Sequence, residues 1–184
     1  MTPPAASTPA APAPDAPGAG NGVRHHLLSV LVENRPGVLT RVAGLFARRG
    51  YNIHSLAVAP TDDPGLSRIS MVVDVASSPL PQMIRQLDKL VNVIEISELS
   101  PESAVEREVL LATVAVTDGD RSGLDELLGA FDARVLDTTP TAVTVSVVGS
   151  PAQLDDAEIL LGGFGLVAVQ RSGRVALPAL GAPD

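Results

Sequence analysis

From His25 onward the chain alternates short apolar runs with segments of helical spacing. His26 to Val32 (HLLSVLV) is an apolar, strand-like run, closed by the turn-prone Glu33-Asn34-Arg35-Pro36-Gly37. Val38, Val42, Leu45 and Phe46 then recur at i, i+4, i+7 and i+8, which predicts one buried face of a helix. Pro36 is expected just inside its start and Gly50 at its C′ position. Tyr51 to Ala59 and Ser67 to Val75 predict a hairpin around the polar PTDDPGL turn, with Ile69, Met71, Val73 and Val75 alternating against Ser70 and Asp74. After Ser77-Ser78-Pro79, the residues Leu80, Met83, Ile84, Leu87, Leu90 and Val91 predict a second amphipathic helix. Val93 to Leu99 supplies a fourth strand. The order β-α-β-β-α-β predicts a ferredoxin-like layer with both helices on one face of an antiparallel sheet.

Beyond a short linker at Ser100 to Ala104 the order repeats. Val105 to Val116 reads as a strand, Leu124, Leu127, Leu128 and Phe131 mark a helix, and Ala133 to Asp137 and Thr141 to Val148 read as strands. A helix over Ser150 to Gly162 and a strand over Leu166 to Gln170 complete the second copy. The chain is therefore expected to be α+β, with two ferredoxin-like βαββαβ domains over residues 24–100 and 105–180. Residues 1–22 belong to neither. They hold 6 of the 16 prolines, 7 alanines and one charge, Asp15. Such a segment cannot offset an ordering cost of roughly 1–2 kcal/mol per residue, and a disordered arm is expected.

Composition narrows the chemistry. A net charge of −8 with 13 scattered Lys and Arg leaves no footprint for a phosphate backbone, so nucleic acid is not an expected partner. No cysteine is present, which removes disulfides, thiolate metal sites and cysteine nucleophiles. The apolar stretch Ile159 to Val169 is too short to span a bilayer, and a soluble, cytoplasmic protein without membrane contact is expected. The halves, at about 80 residues each, are marginal alone, and association is expected.

No catalytic constellation emerges. His25, His26 and His54 lack a ligand-like spacing, and solvated strand ends are preferred to a metal site. Asp62 and Asp63 in PTDDPG suit a turn better than an acid/base pair. The run TDGDRSG, Thr117 to Gly123, lacks the spacing of an EF-hand. The glycines at 162, 163 and 165 end a helix rather than cradle phosphate. One junction does suit a ligand: Glu33 to Leu39 (ENRPGVL), where a helix N-terminus offers unpaired N–H groups to a carboxylate. Gly37 allows close approach, and Asn34 can both donate and accept. Asn52 offers a second amide, and Val38, Leu39 and Ile53 can house an aliphatic side chain. These six residues suit a free α-amino acid. The alternative is structural: Asn34 caps the helix and Asn52 follows a turn.

At these residues the chain resembles the small regulatory subunits of acetolactate synthase (acetohydroxyacid synthase). The resemblance spans about Arg24 to Leu180 and rests on LSVLVENRPGVLTRVAGLFARRGYNIHSLAVAPTDDPGLSRISMVV, KLVNVIEISEL, VEREVLL and the RSG of Arg171 to Gly173. The junction alone would indicate only an ACT domain, an amino-acid-sensing module. The resemblance implies an N-terminal ACT domain that dimerises and binds valine at the dimer interface, followed by an ACT-like domain. The matching valine contacts are Asn34, Gly37, Val38 and Leu39 from one subunit and Asn52 and Ile53 from the other, with Thr40 beside them. It further implies feedback inhibition by valine and activation of a separate catalytic subunit, which would hold thiamine diphosphate, FAD and Mg²⁺. No cofactor is expected on this chain. A stand-alone ACT sensor for another enzyme is the alternative, against which the VEREVLL and RSG matches count. The surface meeting the catalytic subunit is looked for around Asp62, Asp63, Pro64 and Arg68 and at the exposed edges of the sheets.

Overall fold

The computed structural model describes residues 24–75, 80–100, 103–117 and 121–180. The N-terminal arm, the Ser77-Ser78-Pro79 segment and the centre of TDGDRSG lie outside these residues.

Two four-stranded antiparallel layers of identical topology follow one another. In the first, β1 (Arg24–Glu33), α1 (Val38–Arg48), β2 (Asn52–Pro60), β3 (Leu66–Val75), α2 (Leu80–Leu87) and β4 (Val93–Leu99) form a sheet of order β2-β3-β1-β4. In the second, β5 (Ala104–Ala115), α3 (Arg121–Ala130), β6 (Arg134–Thr138), β7 (Ala142–Gly149), α4 (Pro151–Gly162) and β8 (Leu166–Arg171) form the order β6-β7-β5-β8. The expected α+β pair of βαββαβ units is thus present.

Each layer has one core. Leu28, Val30 and Val32 of β1 and Ile69, Met71 and Val73 of β3 face Val42, Leu45 and Phe46 of α1 and Leu80, Met83 and Leu87 of α2. The second core repeats this with Leu110, Ala112 and Val114 against Leu124, Leu128, Leu154 and Leu161. The period of two in the strands and near 3.6 in the helices therefore selects one shared face in each layer.

Several boundaries differ from the sequence expectation. Pro36 precedes the helix instead of opening it, because Gly37 is the N-cap. Gly50 does sit at C′, with φ +68, while its N–H donates to the Ala47 carbonyl and that of Tyr51 to the Phe46 carbonyl, the Schellman pattern. Helix α2 stops at Leu87, so Val91 falls in the following turn and is 90% exposed rather than on the apolar face. Strand β9 (Val175–Pro178) was not expected; it pairs with the first four residues of β5.

That extra strand changes the back of the first sheet. Ala176, with Leu27, Val72 and Leu99, forms a third small core. Ser29 and Ser70, in the same two strands as Leu27 and Val72, are also buried. The C-terminal segment thus covers part of the surface that a lone ferredoxin-like layer would leave open.

Candidate functional site

The β1–α1 junction is built by backbone geometry. Gly37 adopts φ +85 and ψ −7, a left-handed conformation that side chains rarely tolerate, while a Cβ built there would meet nothing within 4 Å. The glycine is required here by its torsion angles, not by crowding. No side chain caps α1, so its first N–H groups have no side-chain acceptor. Val38 N–H is directed to the Arg35 carbonyl at 3.3 Å and Arg41 N–H to that of Gly37 at 3.0 Å.

Asn34 does not cap the helix, contrary to the structural alternative. Its Nδ2 donates to the Pro64 carbonyl at 2.9 Å, and its backbone N–H donates to that of Gly65 at 2.7 Å. The junction is thereby fastened to the β2–β3 turn. That turn is held by Asp63, whose Oδ1 accepts from Gly65 N–H at 2.8 Å, as the turn reading of PTDDPG expected. Asp62, Asp63 and Arg68 line a groove of about 730 Å³ that extends to Val175 and Leu177, and Arg68 donates to Ser29 Oγ at 2.8 Å.

A residue not foreseen as part of the site supports it from behind. Asn92, 8% exposed, donates through Nδ2 to Glu33 Oε2 and accepts at Oδ1 from Arg41, each at 2.6 Å. Its carbonyl also accepts from Glu33 N–H at 2.9 Å. It thus spans the two sides of the junction. The signal was a single polar residue amid the apolar run of KLVNVIEISEL.

The six candidate residues occupy two separate places. Asn34, Gly37 and Leu39 are exposed at the end of β1, whereas Val38 is 5% exposed and spends its side chain in the core. Asn52 and Ile53 lie at the start of β2, with Ile53 half-buried against the first core. In register, Asn52 stands opposite Asp74, which stands opposite His25, while Leu66 stands opposite Glu33. The two places are therefore at opposite ends of the sheet, on the order of 27 Å apart at ~3.4 Å per residue. One chain does not bring them together.

Asn52 is held by Asp74, to whose Oδ2 its amide donates. The same aspartate meets His25, and the His25 and His54 rings lie 4.6 Å apart. His26 is separate and bonds Glu98 at 2.8 Å.

In the second layer, VEREVLL and RSG prove to be one structural unit. Arg171 donates to the 5%-exposed Glu108 and to Asp155, and Arg174 lies near Glu106 and Glu108. Burial would lower the Arg171 pKa, but its hydrogen bonds to these carboxylates and their negative charge outweigh burial and raise it. The turn that follows reaches the first layer: Arg174 N–H donates to Ser55 Oγ at 2.9 Å.

Comparison with known proteins agrees with this architecture. Residues 28–95 match a family described as the AHAS small subunit-like ACT domain, and residues 107–179 match one described as the small subunit of acetolactate synthase. An acetolactate synthase small subunit of Mycobacterium bovis is 45% identical over 152 residues, 83% of this chain and 90% of the relative. A probable acetolactate synthase small subunit of Methanothermobacter thermautotrophicus is 38% identical over 153 residues, 83% of this chain and 91% of the relative. The crystal structure of the acetolactate synthase small subunit from Thermotoga maritima superposes with a TM-score of 0.78 at 34% identity, covering 85% of this chain and 98% of that one. With both halves matched in order and the β1–α1 junction in place, this chain belongs to the family of acetolactate synthase small subunits.

Proposed function

We propose that the chain is the regulatory, non-catalytic subunit of an acetolactate synthase, and that valine is its effector, bound between two copies of the first layer. As a small subunit it serves a catalytic large subunit, and hence branched-chain amino-acid biosynthesis. Thiamine diphosphate, FAD and Mg²⁺ belong to that partner and none to this chain. A cytoplasmic location accords with the absence, among the described residues, of any helix long and apolar enough to cross a membrane.

The observation that carries the valine reading is the separation of the two half-sites along a strand at the edge of its sheet. Strand β2 is terminal in the order β2-β3-β1-β4. Antiparallel pairing of β2 with its own copy about a two-fold axis would set the Asn52 end of one sheet beside the Gly37 end of the other. The valine carboxylate would then meet the uncapped terminus of α1 with Asn34 nearby. Asn52 would take a polar group, and Leu39 and Ile53 the aliphatic side chain.

Inhibition follows by linkage. Valine shifts the complex toward a less active arrangement by no more than its difference in affinity for the two. A ligand held at ~0.1 mM gains only about 5.5 kcal/mol. Losing one charge-assisted hydrogen bond, ~1.5–3 kcal/mol, should therefore weaken sensing about 10- to 100-fold.

Gly37→Asp tests the site. Aspartate is among the residues best able to adopt positive φ, so the variant strains the turn less than most side chains would while placing a negative charge where the carboxylate docks. Reconstituted with the catalytic subunit, it should still activate the enzyme but no longer respond to valine. Wild-type inhibition by this variant would show that valine binds elsewhere.

A further inference from the structure

We propose that His25, His54 and Asp74 form a binding site for one divalent transition-metal ion, of which Zn²⁺ fits best. The three come from different strands. His25 near the start of β1 stands in register with Asp74 near the end of β3. The β2–β3 register shifts between Ile53 and Ser55, so His54 is left out of the ladder by a bulge. The bulge delivers its ring to the face that carries His25 and Asp74, and one ligand atom from each residue lies within 4.8 Å of the others.

The carboxylate is the telling group. Asp74 Oδ1 is buried from solvent and accepts no hydrogen bond, a state that normally costs free energy. His25 Nδ1 lies only 2.8 Å from it, yet outside hydrogen-bond geometry. Tetrahedral bonds of ~2.0–2.1 Å would hold donor atoms ~3.3 Å apart, so His25 Nδ1 and Asp74 Oδ1 would separate slightly on binding an ion. Small rotations of the half-exposed His25 and the exposed His54 would bring the three donors, within 4.8 Å of one another, to that spacing. The other oxygen, Oδ2, is taken by the Asn52 amide, which fixes the carboxylate as outer contacts fix ligands in metal sites.

The donor set decides the metal class. Two imidazoles and one carboxylate suit Zn²⁺, Co²⁺ or Ni²⁺, whereas Mg²⁺ and Ca²⁺ favour all-oxygen shells. Three protein ligands leave a fourth position for water. A bound ion would tie the ends of β1, β2 and β3 together. The site needs nothing from the valine reading, and its test contains no valine.

Titration of the full-length protein with ZnCl₂ by calorimetry should show one ion bound per chain. His54→Ala and Asp74→Asn should each lower the affinity by at least ~10-fold, with circular dichroism confirming that the variants fold. His26→Ala should bind as the wild type does. In nitrogen-edited NMR spectra, Zn²⁺ should move the imidazole signals of His25 and His54 and leave His26 in place. The proposal is overturned if the wild type binds none of Zn²⁺, Co²⁺ and Ni²⁺ saturably. It is equally overturned if binding survives both variants unchanged, or depends on His26 instead.

Discussion

At the scale of single residues, Asn92 links the scaffold to the β1–α1 junction. It is one of few buried polar side chains among the described residues, and it uses its two ends differently: the amide donates to Glu33 and the carbonyl accepts from Arg41. Asn92→Asp keeps the shape and the acceptor for Arg41, but turns the donor facing Glu33 into an oxygen bearing like charge. We expect a loss of about 1–3 kcal/mol, the cost of a buried hydrogen bond broken on one side. Because Glu33 leads directly into Asn34 and Arg41 lies in the first turns of α1, valine response should weaken more than activation does. Urea unfolding and valine titration of the reconstituted enzyme would measure the two effects; equal losses in both would deny Asn92 a positioning role. Sequence could reveal Gly37 and Asn34 as a junction, but not the Asn92 brace, because contacts 59 residues apart depend on β4 lying beside β1.

At the scale of elements, periodicity disclosed nearly every strand and helix, since each core face repeats at the spacing of its own secondary structure. It failed where a segment's role depends on a distant partner. Val91 shared the spacing of α2, but the helix ends at Leu87. The four residues of β9 show no alternation that marks a strand, and they become one by pairing with β5. The RSG turn leading into β9 is similarly fixed from outside. Gly173 has φ +81, and a Cβ there would lie 2.8 Å from the Leu56 carbonyl oxygen of β2. Both the torsion and the contact exclude a side chain. Gly173→Ala should thus push the turn off β2 and break the Arg174–Ser55 hydrogen bond, destabilising the fold by roughly 1–3 kcal/mol. Amide hydrogen exchange should quicken at Arg174 and along β9 while the α1–α2 core stays protected. Unchanged exchange at β9 would mean that the turn is not its anchor.

For the whole molecule, the separation of the half-sites gives a test that no single variant can supply. Asn34 and Asn52 stand at opposite ends of one sheet, so each pocket of a two-fold dimer would take its junction from one copy and its strand end from the other. A homodimer of Asn34→Ala, or of Asn52→Ala, then has both pockets damaged, and valine should bind about 10- to 100-fold more weakly. In a mixed dimer, purified through different tags on its two chains, both substitutions fall in the same pocket. The second pocket combines the intact Asn34 of one chain with the intact Asn52 of the other. Calorimetry should therefore find one valine per mixed dimer at wild-type affinity, although neither parent binds it so tightly. If each site lay within one chain, every site in the mixed dimer would carry a substitution and no wild-type affinity could return. Recovery of one site is a consequence of symmetry alone, independent of how much energy either asparagine contributes.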